Sequence, residues 1–451
     1  MTRIDPYLLV RAASLYITVV LTGAAWLWRR PHKRTMNGAI LAFAWNVPAV
    51  LLLHVAALHF GWWRFDASGG ILLGMPVDLY LEWAWSWGVI PAMAFPSLSL
   101  FLVTVLALAV DVLLMTNARP VLELGSTWLI GEGIGLVVAL VPAQLLARWT
   151  ITDRRLVERA LLQVTAFGGV LLFVLPAMII EGTGSSWRRL FELSPWQLGL
   201  WLQIISLPLL FGLTAVQEFV SRGFGTPVPF DPPGRLVTSG VYSYIGNPMQ
   251  FAAVVVLLIM GVVFRTFWLA AAGIMAHIYS AGLAGWDEEQ DLRDRFGEDW
   301  LVYHRSVRRW VPRFRPWHRV DQPPALLFVS ETCGMCREVA RWFERRGARH
   351  LAIVPAEAHP SGALRRITYE PGDGTRASSG VEAIARALEH IHLGWALLAF
   401  LVRLPLVCEF VQLVADASGA GPRRVATFPS SQRRGGAKRR GGQVGPNISP
   451  N

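Results

Sequence analysis

Cys333 and Cys336, separated by Gly334 and Met335, are the residues with the most evident chemistry. The run Ala325 to Ser330 reads as a short buried strand and Arg337 to Arg345 as a helix, which sets the pair at a helix N-terminus. There the helix dipole and Arg337 favour a thiolate, so Cys333 is the expected nucleophile and Cys336 its resolving partner in thiol–disulfide exchange. Half of a zinc site is the rival reading, but only one further cysteine exists, Cys408, in an apolar stretch. A second group is acidic. Asp287, Glu288 and Glu289 follow an apolar hairpin whose other end is the loop Tyr242 to Pro248, so carboxylates and loop return to one membrane face and can surround a polar ligand. Acidic residues just past a span also simply cap or solvate the helix end. Asp111 and Glu132 form a third group, carboxyls inside apolar runs, and read either as functional sites or as helix-end and interhelical hydrogen-bonding groups.

These residues need a membrane-borne frame to position them. Of 451 residues 53% are hydrophobic and 16% charged, well under the charge of about 25% usual in soluble domains. Apolar runs cover Leu8 to Trp28, read as a retained first helix, then Gly38 to His59, Thr127 to Ala147, Ala160 to Ile180, Leu198 to Phe219, Met249 to Phe264 and Phe267 to Trp286. Glu82 to Met115 is too long for one span and contains Pro91 and Pro96, which predicts two helices or a re-entrant hairpin. The split also lets the basic loops at Arg29 to Arg34, at Arg148 to Arg159 and from Arg222 share the cytoplasmic side, with about eight or nine spans in all. That distribution explains the net charge of +11 without a nucleic-acid partner. Trp62, Trp63, Trp83, Trp85 and Trp87 read as an interfacial belt.

The stretch Gly223 to Trp317 is proline-stiffened at Pro227, Pro229, Pro232 and Pro233. Gly240 permits a tight turn, and Pro248 opens a helix where no amide donor is needed. Its ordered motifs are Leu236-Val-Thr-Ser-Gly-Val-Tyr242, Asn247-Pro248, a hairpin, Glu288-Glu289, Phe296-Gly297, Trp300, Tyr303 and Val311-Pro-Arg-Phe314. Through them this fifth of the chain resembles the isoprenylcysteine carboxyl methyltransferase family, itself similar to phospholipid methyltransferases. The resemblance implies an S-adenosyl-L-methionine site lined by Gly234, Arg235, Leu236, Val237, Tyr242, Asn247, Pro248, Met249, Gln250 and Glu288, with a lipid or lipid-like acceptor entering from the membrane. An amine or thiol acceptor would need a base, for which Glu289 or Asp287 is placed. Gly246, Gln250 and Ala284 stand where the family carries an arginine, an aromatic residue and a second, substrate-serving arginine.

After the linker Asp321 to Pro324, residues Ala325 to Val425 resemble the DCC family of thioredoxin-like proteins. The resemblance rests on the cysteine pair, Arg365-Arg-Ile-Thr-Tyr369, Ser379-Gly-Val-Glu-Ala-Ile-Ala-Arg386 and Leu401-Val-Arg-Leu-Pro405. His390 and His392 read as surface or helix-end residues, Ile391 to Leu404 as a helix packed in its domain or lying on the membrane, and 426–451 as a disordered basic tail. The expected protein is mainly α. A transmembrane bundle (1–222) precedes a methyltransferase core (223–317) and a C-terminal α/β thioredoxin-like domain (325–425), in a bacterial inner membrane with loop and C-terminal domain cytoplasmic. A membrane-anchored thiol–disulfide oxidoreductase with a degenerate methyltransferase site is the alternative, and a scaffold with both sites decayed the third reading.

Overall fold

The computed structural model describes residues 6–118, 121–228, 233–360 and 364–422. The tail 426–451 and part of the proline-rich approach, 229–232, lie outside them. The chain is mainly helical and divides into two compact units, Met1–Arg235 with Met249–Glu289, and Leu236–Pro248 with Gln290 onward.

In the first unit α1 (Pro6–Arg29), α2 (Lys33–Phe60), α3 (Val77–Ala94) and α4 (Leu100–Asn117) are followed by α5 (Trp128–Ile151), α6 (Leu156–Gly182) and α7 (Pro195–Gly223). The apolar run from Glu82 does divide, with the break at Phe95 to Ser99. Pro96 sits in the break and the Ser99 side chain caps α4 by accepting from Leu102 N, whereas Pro91 is tolerated inside α3. Six helices among the described residues are long and apolar enough to cross a membrane: α1, α2, α4, α5, α6 and α7. A seventh is reached if the bent pair Leu393–Val402 and Pro405–Ala420 counts as one. That is fewer than the eight or nine expected, because α3 carries Asp78 and Glu82 and is not apolar enough, and the hairpin helices α8 (Pro248–Val263) and α9 (Phe267–Ala281) have 16 and 15 residues, short of the roughly 20 that a span needs.

The basic ends of these helices meet. Arg34 and Arg159 both reach Asp153, at 3.4 and 3.0 Å, while Arg29 donates to the Ala94 carbonyl at the end of α3. At the opposite end a two-stranded antiparallel ribbon pairs β1 (Trp63–Phe65) with β4 (Leu122–Leu124), beside the short pair β2 (Ile71–Leu72) and β3 (Met75–Pro76). The tryptophans expected as an interfacial belt are largely interior. Trp62, Trp63, Trp83 and Trp87 are buried in the main core of the bundle, with Trp63, Trp83 and Trp87 in successive ring contact at 5.5 and 5.2 Å. Glycines explain it: a methyl group at Gly131 would stand 2.5 Å from the Trp62 ring, and one at Gly135 3.0 Å from Trp87, so α5 is shaped to receive these rings.

The second unit joins the loop Leu236–Pro248, the latter part of α10 (Leu283–Ser306) and an α/β portion. Its strands are β5 (Ala325–Val329), β6 (Leu351–Pro355), β7 (Thr368–Glu370) and β8 (Ser378–Ser379), in sheet order β6-β5-β7-β8. The β5–β6 pair is parallel, with α11 (Gly334–Arg346) between them in sequence, and the other pairings are antiparallel. The core is Leu327, Phe343, Tyr369, Ala383 of α12 (Val381–Leu388) and Ala399 of α13 (Leu393–Val402), so the apolar helix expected near Ile391 to Leu404 packs one face within its own domain. His392 is a helix-end residue, its ring accepting from Gly394 N. His390 is not at the surface: it is 6% exposed, its Nδ1 donates to the Arg349 carbonyl at 2.9 Å, its Nε2 shares a hydrogen bond with Tyr369 Oη at 2.9 Å, and it stacks on His318.

Candidate functional site

The loop that carries the methyltransferase resemblance is held from several sides. Gly240 takes φ +58°, opening a single 3-10 turn over Gly240–Ser243 closed by Tyr244 N to the Val241 carbonyl at 3.0 Å. A second strap comes from the segment after α10. Gly246 N and Asn247 N donate to the Arg308 and Arg309 carbonyls at 2.9 and 3.0 Å, and Arg313 N and Trp317 N donate back to Tyr244 and Ser243 at 2.9 and 2.8 Å. The buried Tyr303 hydroxyl donates to the Tyr242 carbonyl at 2.8 Å. Motif residues scattered from Tyr242 to Trp317 thus fix one loop. Burial pushes the Tyr303 and Tyr244 hydroxyls well above their ordinary range, so both act as neutral donors. Tyr244 spends its proton on the Glu389 carbonyl at 2.7 Å.

Gly246, at the position of the family's arginine, lies against this strap: a methyl group there would be 3.2 Å from Arg309 Cα. A long side chain at 246 would have to displace the backbone that holds Asn247. Gly297, at φ +54° and ψ −126°, breaks α10 just after Phe296, a geometry that only glycine takes without strain.

Of the residues that the resemblance assigns to the cofactor, Leu236, Val237, Tyr242, Asn247 and Pro248 come together in this loop, with Val237, Tyr242, Asn247 and Pro248 buried. The Asn247 side-chain nitrogen is buried without a hydrogen-bond partner, an unmet donor inside a loop strapped on two sides. Gly234, Arg235, Met249, Gln250, Glu288 and Glu289 belong to the other unit. Gly234 N donates to the Gly223 carbonyl at 2.8 Å and the Arg235 guanidinium lies 5.6 Å from the Phe224 ring. Met249 and Gln250 are half-buried in the first turn of α8, Glu288 is exposed and Glu289 half-buried. The side chains of Ala284 and Asp287 lie outside the described residues.

The cysteine pair sits where strand and helix were expected to place it. Cys333 is the N-cap of α11 and its sulfur accepts from Cys336 N at 3.3 Å, so the helix start already stabilises charge on that atom. Both cysteines are thiols, not joined in a disulfide, on the wall of a cavity of about 260 Å³, lined also by Met335, Ile367, Ile384 and, from Arg365-Arg366, two guanidinium-bearing side chains. Arg366 is engaged bidentately by Asp416.

Sequence reasoning missed Glu357. Its carboxylate, 1% exposed, accepts from the Ser330 hydroxyl at 2.7 Å, from Glu331 N at 3.0 Å and from Thr332 N at 3.4 Å, clamping the three residues before Cys333. Burial alone would raise this carboxyl; the Ser330 hydroxyl and the surrounding backbone amides outweigh it and hold the group below the usual carboxylate range. The chain matches no protein-family model, no curated protein and no solved structure. Its chemistry therefore rests on these residues.

Proposed function

We propose that the chain is an integral membrane methyltransferase using S-adenosyl-L-methionine and a lipid or lipid-like acceptor, with an appended thiol–disulfide site at Cys333 and Cys336. The observation that carries this reading is the loop Leu236–Pro248, fixed by the Tyr303 hydroxyl and four backbone straps yet keeping the buried Asn247 amide unmet. A buried donor without a partner costs about 1–3 kcal/mol, which a polar ligand at that place would offset. The residues that would hold the cofactor are Leu236, Val237, Tyr242, Asn247 and Pro248 of the loop, and the resemblance adds Gly234, Arg235, Met249, Gln250 and Glu288. When bound, S-adenosylmethionine supplies an electrophilic methyl group on a sulfonium. The chain's part is to orient it and exclude water, since methyl transfer disperses charge and depends mainly on alignment. Glu289 serves as base if the acceptor is an amine or thiol. The basic helix ends around Arg29, Arg34 and Arg159 support an inward-facing, cytoplasmic placement of that side.

Incubating membranes that contain the full chain with methyl-labelled S-adenosylmethionine, then counting label in the lipid extract, tests the activity. Label that depends on Asn247 supports it. Extracts identical to membranes lacking the protein contradict it.

The second reading, thiol–disulfide oxidoreductase, is favoured by Cys333 at the N-cap facing a cavity, and the strand order β6-β5-β7-β8 supports a thioredoxin-like domain. Cys333 thiolate would attack a substrate disulfide and release one thiol. Cys336 would then displace the second, leaving an oxidised pair and a reduced substrate. Replacing Cys333 by Ser should abolish turnover of a small disulfide while leaving S-adenosylmethionine binding intact.

A further inference from the structure

Inside the bundle of the first unit, Asp111 of α4 and Glu132 of α5 are electrostatic neighbours: the Trp87 ring that Asp111 bonds lies against Gly135, about one turn along α5 from Glu132. Asp111 also accepts from the Trp87 indole nitrogen at 2.8 Å, and Glu82 of α3, itself receiving the Thr18 hydroxyl at 3.3 Å, is the next charged group to face Asp111. Glu132 is 0% exposed and neither oxygen of its carboxyl has a donor. The glycines on both sides, Gly131 and Gly135, seat the rings of Trp62, Trp63 and Trp87 against its helix, which closes the position to water.

An ionised carboxylate without donors in such a place is untenable, and two carboxylates side by side in hydrocarbon cannot both carry charge. A protonated Glu132, by contrast, donates its O–H to Asp111, which the Trp87 indole already stabilises as an acceptor. We infer that Asp111 and Glu132 form a proton-binding site in the bundle, one proton shared by the two carboxyls, with Glu82 as the adjoining acidic group. The pair lies within about two helical turns of the ends of α4 and α5 that adjoin the β1–β4 ribbon, a depth of roughly 10 Å, so that end is nearer to it than the arginine-rich one. No cation is required: the O–H supplies the positive charge that the pair needs.

The test is infrared spectroscopy of the full chain in lipid nanodiscs at neutral pH. Wild type should show a protonated carboxylic C=O stretch that moves in heavy water. Glu132→Gln, which keeps the shape of the side chain, should lose that band, and Asp111→Asn should shift it by changing its hydrogen-bond acceptor. Superimposable carboxylic regions in wild type and Glu132→Gln would overturn the proposal, as would a wild-type band that collapses on adding sodium or calcium chloride, the mark of a metal-cation site. If Glu132→Gln fails to fold, Asp111→Asn decides: a shifted band supports the shared proton and an unshifted one overturns it.

Discussion

The two compact units differ in how they hold buried acids. In the second, these are matched, Glu389 with Arg403 and Arg386 and Glu357 with its hydroxyl and amides, as are the Tyr244 and Tyr303 hydroxyls with carbonyls, while buried ring nitrogens of Trp300, His318 and His350 have no hydrogen-bond partner. In the first, Glu132, His54, Trp63 and Trp83 keep buried polar atoms without partners. Matched networks fix a geometry, whereas a buried carboxyl without donors persists where a proton neutralises it. Among the unmatched nitrogens of the second unit Asn247 is the informative one, because its donor lies in a loop strapped by four backbone hydrogen bonds.

The comparison breaks most visibly at the matched pairs. Arg403→Met leaves Glu389 with a buried, under-compensated charge and should destabilise the second unit by about 3–5 kcal/mol, read as early loss of its protease resistance on heating. Tyr303→Phe removes one donor from the buried Tyr242 carbonyl. It should cost about 1–3 kcal/mol and weaken S-adenosylmethionine binding, whereas a purely structural role for the tyrosine would leave affinity in the folded fraction unchanged.

Acid should act on the second unit through His318, which stacks between His350 at 5.1 Å and His390 at 4.8 Å. Burial first, and then the neighbouring imidazoles His390 and His350, lower its pKa to about 3. The unfolded chain then binds the proton more readily, so the stabilisation is present above about pH 6.5 and declines as pH falls towards 3, by roughly 1.4 kcal/mol per pH unit for one proton. Denaturation midpoints measured across that window should flatten in His318→Phe. The smallest effect is expected in the bundle. Thr18→Val, which keeps much the same volume, loses the bond to Glu82, worth about 0.6 kcal/mol for an interhelical hydrogen bond in a membrane, and thermal unfolding in detergent should barely register it.

Much of this was legible from sequence where a local rule governs. Apolar runs gave the helices, Pro96 the break between α3 and α4, and the order of strand, Cys333 and helix the N-cap thiol. What escaped depends on residues distant in the chain. Glu357 clamps Ser330 to Thr332 from beyond the next strand, and His318, His350 and His390 meet from three separate segments. The tryptophans misled because an indole suits headgroup depth as well as a core, and only the glycine seats at Gly131 and Gly135 decide between the two. Asp111 and Glu132 were visible as intramembrane acids, but not that α4 and α5 set them side by side.

Calorimetric titration of S-adenosylmethionine into the detergent-purified full chain decides whether the strapped loop is a cofactor site. The account predicts saturable binding that Asn247→Ala weakens roughly tenfold, the equivalent of about 1.4 kcal/mol for one hydrogen bond to a charged ligand, and that Glu288→Ala also weakens. Heat of dilution alone from the wild-type chain, with Cys333 still reactive as proof of folding, would contradict it.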